Sequence, residues 1–157
     1  LAECVAMRLR EHGFRSRNVS IAVRNVIQYR DDNNRTITSL DWHSCQHMLG
    51  TSTNIAADII REAMKLFDER YARMYPFRGL GVSCGTLVPE SVPVQMDLFG
   101  NAEKKARMEQ LERNVDMLRN RFGNNIVQKG IVLIDRKAAK LDPKADHTIH
   151  PVAMYGM

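Results

Sequence analysis

The sequence lacks the long apolar run of about 18 residues that a membrane-spanning helix needs, and its first residues lack the apolar segment of a signal peptide. We therefore expect no membrane span. Cysteine is scarce: only Cys4, Cys45 and Cys84 occur. Their odd number and wide spacing suit neither a disulfide framework nor a paired metal site, so we expect a reducing, cytoplasmic setting.

Lysine is scarce in the first part of the chain. Residues 1–88 hold 12 basic residues, of which 11 are Arg and only Lys65 is Lys, whereas 6 of the 11 basic residues in 89–157 are Lys. The net charge of +5 permits an anionic partner, and Arg is the side chain favoured for bidentate phosphate contacts. The alternative explanation of the arginine excess is a solvated, Arg-rich face that binds no anionic partner.

Carboxylates arranged to hold catalytic metal ions are also missing. Asp31 and Asp32 lie in a predicted turn. Asp68 and Glu69 are neighbours on a predicted helix, where consecutive side chains do not face each other and cannot share a metal. We therefore expect no catalysis by this chain, and no cofactor or metal within it.

Two further features leave alternatives open. His43, Cys45 and His47 lie close together and resemble part of a zinc site, but no fourth ligand is near, and we favour a loop that packs against its sheet. Trp42 is suited either to stacking on a nucleobase or to anchoring the core beneath the sheet edge. We favour the core.

Hydrophobic periodicity predicts the fold class. In residues 18–26 the apolar Val19, Ile21 and Val23 alternate with small, polar or basic residues, which predicts a strand with one buried face. The same reasoning predicts a helix over 1–12 ending at Gly13, a strand over 35–40, a helix over 54–72 and a strand over 77–88. This order predicts an α+β fold, with a mostly antiparallel sheet and helices on one face.

Residues 89–101 form a predicted linker, since their prolines suit neither a helix nor a central strand. Leu98 and Phe99 stand side by side within it, and such a pair either folds back onto its own domain or anchors a docking peptide. The peptide comprises Gln95, Met96, Asp97, Leu98 and Phe99. It resembles the peptide by which bacterial repair and replication proteins bind the β sliding clamp.

A long charged helix is predicted over 102–123, followed by a tail over 124–157. Apolar residues recur along it at spacings of 3 and 4, namely Met108, Leu111, Val115, Leu118 and Phe122. The pattern is a heptad seam of two repeats. It allows weak self-association, although we favour packing onto the chain's own or a partner's surface.

The order of these parts resembles the little-finger domain of the Y-family, UmuC/DinB-like translesion DNA polymerases, with the likeness covering nearly all of residues 1–134. The residues that carry it are Arg10-Glu11-His12-Gly13, Asn18-Val19-Ser20-Ile21-Ala22-Val23-Arg24, Arg35, the helix at 51–72, Pro76-Phe77-Arg78-Gly79-Leu80-Gly81-Val82-Ser83, the clamp-like peptide and Arg121-Phe122-Gly123. The family's Phe-Ser-Arg-Gln-type segment appears here only as Asn34-Arg35-Thr36, which weakens the comparison there.

The resemblance implies that residues 1–88 bind primer–template DNA by its backbone and that the linker docks on the bacterial sliding clamp. The expected DNA contacts are Arg17, Ser20, Arg24, Arg30, Arg35 and Arg78. The family's catalytic carboxylates and their Mg²⁺ belong to a palm domain outside this chain. The resemblance also implies a role in DNA repair, damaged-DNA binding and the SOS response.

Two alternatives remain beside this interpretation. One is a stand-alone adaptor that binds the clamp and DNA, with the same fold but no polymerase core. The other is a protein-interaction module that acts through the 102–122 helix. The chain begins with Leu1 in a helical pattern rather than with Met, which favours a fragment of a longer protein.

Overall fold

The computed structural model describes residues 1–71, 76–93, 102–130 and 134. Its elements are α1 (Ala2–Glu11), β1 (Phe14–Arg30), β2 (Thr36–Thr53), α2 (Ala56–Arg70), β3 (Phe77–Pro89) and α3 (Ala102–Phe122). The predicted order of helices and strands is confirmed. The chain divides into two compact units, Leu1–Glu109 and Gln110–Met157.

The first unit is built around β1, the central strand of a three-stranded sheet in the order β2-β1-β3. Both neighbours run antiparallel to it. Val19, Ile21 and Val23 are 0%, 3% and 2% exposed, because alternate residues of a strand point to one face and these three point into the core. The α+β prediction, with helices packed on one face of an antiparallel sheet, is confirmed.

Helices α1 and α2 cover this buried face. The core residues that they contribute are Ala6, Leu9, Ala56, Ile59, Ala63 and Leu66. Ile59 is fully buried, and burying such a side chain stabilises the fold by about 1.5–3 kcal/mol. The helical spacing of these residues explains why a sheet with one apolar face folds against these two helices.

The extent of β2 was predicted wrongly. The sequence indicated a strand over 35–40 followed by a loop, whereas β2 continues from Thr36 to Thr53, so His43, Cys45 and His47 lie on a strand. Polar side chains occur on both faces of this strand, which hid the period-two pattern. It pairs with β1 from Thr36 to Met48 and again at Thr53, and the ladder supplies the backbone hydrogen bonds that an isolated segment would lack.

The turn and the first helix end were predicted correctly. Asp31 Oδ1 accepts hydrogen bonds from the backbone N–H of Asn33 (3.1 Å) and Arg35 (2.7 Å), and Asn34 takes a φ of 58°. This is the local bonding that favours Asp and Asn in turns. Gly13 follows α1 with a φ of 69°, a conformation that glycine adopts without steric cost.

The start of α2 depends on a side chain that precedes the helix. Its N-cap is Ile55, which has no side-chain cap. Instead, Thr53 Oγ1 accepts a hydrogen bond from the Ile55 N–H (3.1 Å) and donates one to Asp58 Oδ2 (3.0 Å). Thr53 therefore fixes the path of the chain into the helix, and the acidic Asp58 lies in its first turn, where the helix dipole favours it.

A polar junction of Arg10, Arg15, Asn54, Glu90 and Glu109 ties the first unit together. Arg10 Nη1 donates a hydrogen bond to the buried backbone oxygen of Asn54 (2.6 Å). Asn54 Nδ2 donates to Glu90 Oε1 (2.7 Å) and Glu109 Oε1 (3.2 Å). Arg15 donates to the backbone oxygen of Glu90 (3.2 Å) and to Glu109 Oε1 (3.3 Å). The beginning of α3 is thereby fastened to the end of β3.

Candidate nucleic-acid interface

The face of the sheet opposite the helices is formed by the alternate residues of β1 and their register partners. These are Asn18, Ser20, Ala22 and Arg24 of β1, Met48, Gln46, Ser44 and Trp42 of β2, and Gly85, Ser83, Gly81 and Gly79 of β3. We call this set the open face. None of its members is acidic, so no carboxylate of the set opposes an approaching phosphate.

Small residues occupy the centre of the open face. Ser20 and Ser83 share a hydrogen bond between their hydroxyl oxygens (2.7 Å). Ala22 lies opposite Gly81, where an added Cβ would meet Ala22 Cβ at an ordinary contact distance of 3.6 Å. Packing therefore does not require glycine at this position. Because Gly81 has no side chain, nothing projects from the sheet here, and a large ligand can reach the backbone and hydroxyl groups.

Arg24 and Trp42 are large side chains at one end of this surface of small residues. They are register partners, and the guanidinium carbon of Arg24 lies over the indole ring, 5.4 Å from its centroid. That geometry is a cation–π contact. Trp42 is 60% exposed, so the expectation that it anchors the core is wrong. Its position on β2 places it on the open face, which could not be foreseen while the segment with His43, Cys45 and His47 was interpreted as a loop.

The predicted DNA contacts do not form one cluster. Ser20 and Arg24 share the open face. Arg30 lies six residues further along β1, roughly 20 Å away at the rise of a β-strand, and its Nη1 donates a hydrogen bond to Asn34 Oδ1 (3.0 Å). The exposed Arg35 follows the same turn. Arg30 and Arg35 therefore extend the basic surface toward the hairpin end.

Two other predicted contacts lie at irregular points of the sheet. Arg17 is exposed between Ser16 and Asn18, where the register with β2 shifts. The exposed Arg78 lies within a bulge, because Arg24 pairs with Gly79 whereas the next residue of β1, Asn25, pairs with Phe77. The bulge interrupts the alternation that would otherwise set the side of the sheet on which Arg78 lies.

Sequence reasoning missed the contribution of β2 to this surface. Ser44, Gln46 and Met48 belong to the open face, and Gln46 Oε1 accepts a hydrogen bond from Asn18 Nδ2 (3.0 Å). The available signal was the alternation of these residues with His43, Cys45 and His47. It is weak because neither set is consistently apolar.

His43, Cys45 and His47 lie on the helix side of β2, and each of the two histidines lies near a carboxylate. His43 Nε2 lies 2.7 Å from Asp41 Oδ2, and His47 Nδ1 lies 3.2 Å from Glu62 Oε2 of α2. No group of three or more His, Cys, Asp or Glu side chains in 1–71, 76–93 and 102–130 is arranged to hold a metal ion. The carboxylates described do not fit a catalytic Mg²⁺ pair.

Cys84 also lies on the helix side, opposite Val19. Burial raises the pKa of its thiol to about 11, against a smaller lowering by a hydrogen bond with Ser16. A thiol with this pKa is protonated near neutral pH and is a poor nucleophile. Its role is packing: Cys84 contacts the core formed by β1 and the two helices.

The predicted clamp peptide, Gln95 to Phe99, lies outside the residues that the structure describes. In the described residues of α3, no side chain is fully buried. Leu111, Leu118 and Phe122 of the predicted seam are 56%, 44% and 58% exposed. Self-association through this seam stays a prediction.

Comparison with known proteins identifies the family of this chain. The family model of the impB/mucB/samB family C-terminal domain matches residues 1–98. The chain belongs to this family, the UmuC/DinB-like Y-family polymerases, and corresponds to its C-terminal domain. The resemblance to the C-terminal domain of Y-family polymerases is therefore confirmed.

Curated relatives extend the likeness beyond the domain. DNA polymerase IV of Acetivibrio thermocellus is 32% identical over 136 residues, which are 87% of this chain and 31% of the relative. DNA polymerase IV of Moorella thermoacetica is 32% identical over 133 residues, 85% of this chain and 29% of the relative. The chain thus spans about a third of the length of these relatives. Among the described helices, none has the length and apolar character to cross a bilayer.

Proposed function

We propose that this chain is the C-terminal DNA-binding region of a translesion DNA polymerase acting in DNA repair, and that it grips primer–template duplex through the open face. The observation that carries the proposal is a low, acid-free sheet surface with Arg24 on it. Backbone contacts of this kind hold a duplex without reading its sequence. The polymerase names of the relatives support the same conclusion.

The proposal assigns binding, not catalysis, to this chain. Residues 1–88 are the DNA-binding domain, 89–101 the linker with the clamp peptide, 102–123 the charged helix and 124–157 the tail. The catalytic carboxylates and their Mg²⁺ belong to the parent polymerase outside this chain. We place the protein in the cytoplasm, which its three free cysteines suit.

DNA binding is tested with Arg24→Ala in the full chain. We expect weaker binding to duplexes of unrelated sequence, by a similar factor for each. The slope of log affinity against log salt concentration should fall by roughly one, because one phosphate contact is lost. Arg61→Ala is the control, since Arg61 lies on α2, on the other side of the sheet, and pairs with Asp58. Fluorescence anisotropy at several salt concentrations measures both. Equal losses in the two variants, or a strong sequence preference, would contradict the proposal.

We further propose that Gln95, Met96, Asp97, Leu98 and Phe99 dock this region on the bacterial β sliding clamp. Leu98 and Phe99 are the apolar anchors of a short peptide, which favours an affinity on the order of micromolar. The double variant Leu98→Ala, Phe99→Ala should lose clamp binding in surface plasmon resonance while keeping the unfolding transition of the parent chain. Loss of the fold instead would show that the pair belongs to the core.

A second role is supported by the exposure of Leu111 and Leu118 on α3. In this candidate function, the helix forms contacts with a second copy or another protein through its heptad seam. Analytical ultracentrifugation of Leu111→Asp and Leu118→Asp tests it. A dimer of the parent chain that dissociates in both variants would support this role, and a monomer throughout would exclude it.

A further inference from the structure

The side chain of Trp42 is only partly covered by its neighbours. Arg24 lies over the ring from the side of β1. In the sheet formed by the described residues, β2 is an edge strand, so no strand lies beyond the other side of the indole. The 60% exposure of Trp42 agrees with this arrangement.

Single exposed aromatic residues are common and by themselves indicate nothing. Trp42 differs because it stands on the acid-free open face and is already held by Arg24. A side chain that is ordered before binding loses little conformational entropy when a ligand arrives. The ring face away from Arg24 can therefore be buried by a ligand at low entropic cost.

The chemistry of an indole face selects the ligand. The face of an aromatic ring carries partial negative charge, so a phosphate is not attracted to it. Paired bases inside a duplex are stacked on their neighbours and offer no free face. An unpaired nucleobase does offer one, and stacking of a base on an aromatic side chain tolerates any sequence.

We propose that the Arg24–Trp42 pair is a stacking platform for one unpaired nucleobase of the DNA that the open face binds. The guanidinium, the indole and the base would form a continuous stack at the β2 edge. This inference rests on the proposed DNA-binding function and adds a single-strand subsite to it. A primer–template supplies such bases where its template strand extends beyond the primer.

The first test uses the intrinsic fluorescence of Trp42, which is the single tryptophan of the chain. The full chain is titrated with a single-stranded oligonucleotide, and with an oligonucleotide of equal length whose nucleotides lack bases but keep every phosphate. We expect saturable quenching by the first and binding without comparable quenching by the second. Equal quenching by both, or none by either, would overturn the proposal.

The second test separates stacking from bulk with Trp42→Phe and Trp42→Leu. The probe is a duplex with a single-stranded overhang, compared with the same duplex with blunt ends. Trp42→Leu should lose roughly five- to tenfold in affinity for the overhang DNA, since stacking on one base is lost, and little for the blunt duplex. Trp42→Phe, which keeps a ring, should lose less. Equal losses on both DNAs, or parental affinity of Trp42→Leu for the overhang, would overturn the platform.

The outcomes distinguish this inference from the function on which it rests. Salt-dependent binding of the blunt duplex with no effect of unpaired bases would remove the platform and keep the DNA-binding proposal. Failure of the parent chain to bind any of these DNAs would overturn both. Circular dichroism of each variant checks the fold, which we expect to persist because Trp42 lies outside the core.

Discussion

The two faces of β1 differ although their residues alternate along the same strand. On one face, Val19, Ile21 and Val23 are buried beneath α1 and α2. On the other, Ser20 and Ala22 leave a low surface that ends at Arg24. The residues of the first face are apolar because they pack against helices. Those of the second are small, which leaves the backbone and hydroxyl groups accessible. Residues one position apart therefore serve stability and binding separately.

This comparison predicts that substitutions on the helix side change stability while those on the open face change DNA affinity. The largest effect is expected for Ile59→Ala, because Ile59 is fully buried against β1. Removing such a side chain costs about 2–5 kcal/mol of unfolding free energy. Met64→Ala, on the exposed side of the same helix, should cost less than about 0.5 kcal/mol. Urea denaturation measures both, and similar losses would show that α2 does not pack as described.

A smaller loss of stability is expected for Asn54→Ala in the polar junction. The variant removes the amide donors to Glu90 and Glu109, and unmet buried groups cost about 1–3 kcal/mol. The comparison is Gln46→Ala, which breaks the exposed hydrogen bond to Asn18 and should change the unfolding free energy by less than about 0.5 kcal/mol. A neutral Asn54→Ala would mean that the junction does not hold the start of α3.

The smallest effect concerns the pH dependence of the helix side through Cys84. Its pKa is raised from 9.0 to about 11 by burial, so the folded chain holds this proton in a pH range where the unfolded chain releases it. Unfolding is then favoured as pH rises from 9 toward 11. Near neutral pH, alkylation of Cys84 should be slow in the folded chain and faster in urea, as followed by mass spectrometry. Rapid alkylation of the folded chain would contradict its partial burial.

The buried half of this fold could be predicted from the sequence because buried residues are apolar and recur at the period of a strand or helix. The alternation at Val19, Ile21 and Val23 and the helical spacing over α2 both identified the core, and the turn at Asp31 follows from side-chain bonding within a few residues. These features depend on short stretches of chain and on the hydrophobic effect.

The open face could be predicted only in part, because its members are defined by pairing between distant strands. Arg24 and Ser20 were identified from β1 alone. Trp42 was not, since its side of the sheet depends on the register of β2 with β1. The bulge at Arg78 likewise arises from pairing with β1. Gln95 to Phe99 stay a prediction from sequence, outside the described residues.

DNA binding by the open face is tested by adding one negative charge to either side of the sheet. Gly81→Glu places it on the open face, where a Cβ fits at ordinary contact distance. Met64→Glu places it on the exposed surface of α2. Both variants change the net charge equally, so long-range electrostatics cannot separate them.

Duplex affinity at one fixed salt concentration is the quantity to measure, by anisotropy. We predict a loss of roughly tenfold or more for Gly81→Glu, because a carboxylate would oppose phosphates at close range, and little loss for Met64→Glu. Equal losses, or a greater loss for Met64→Glu, would contradict the assignment of DNA binding to the open face.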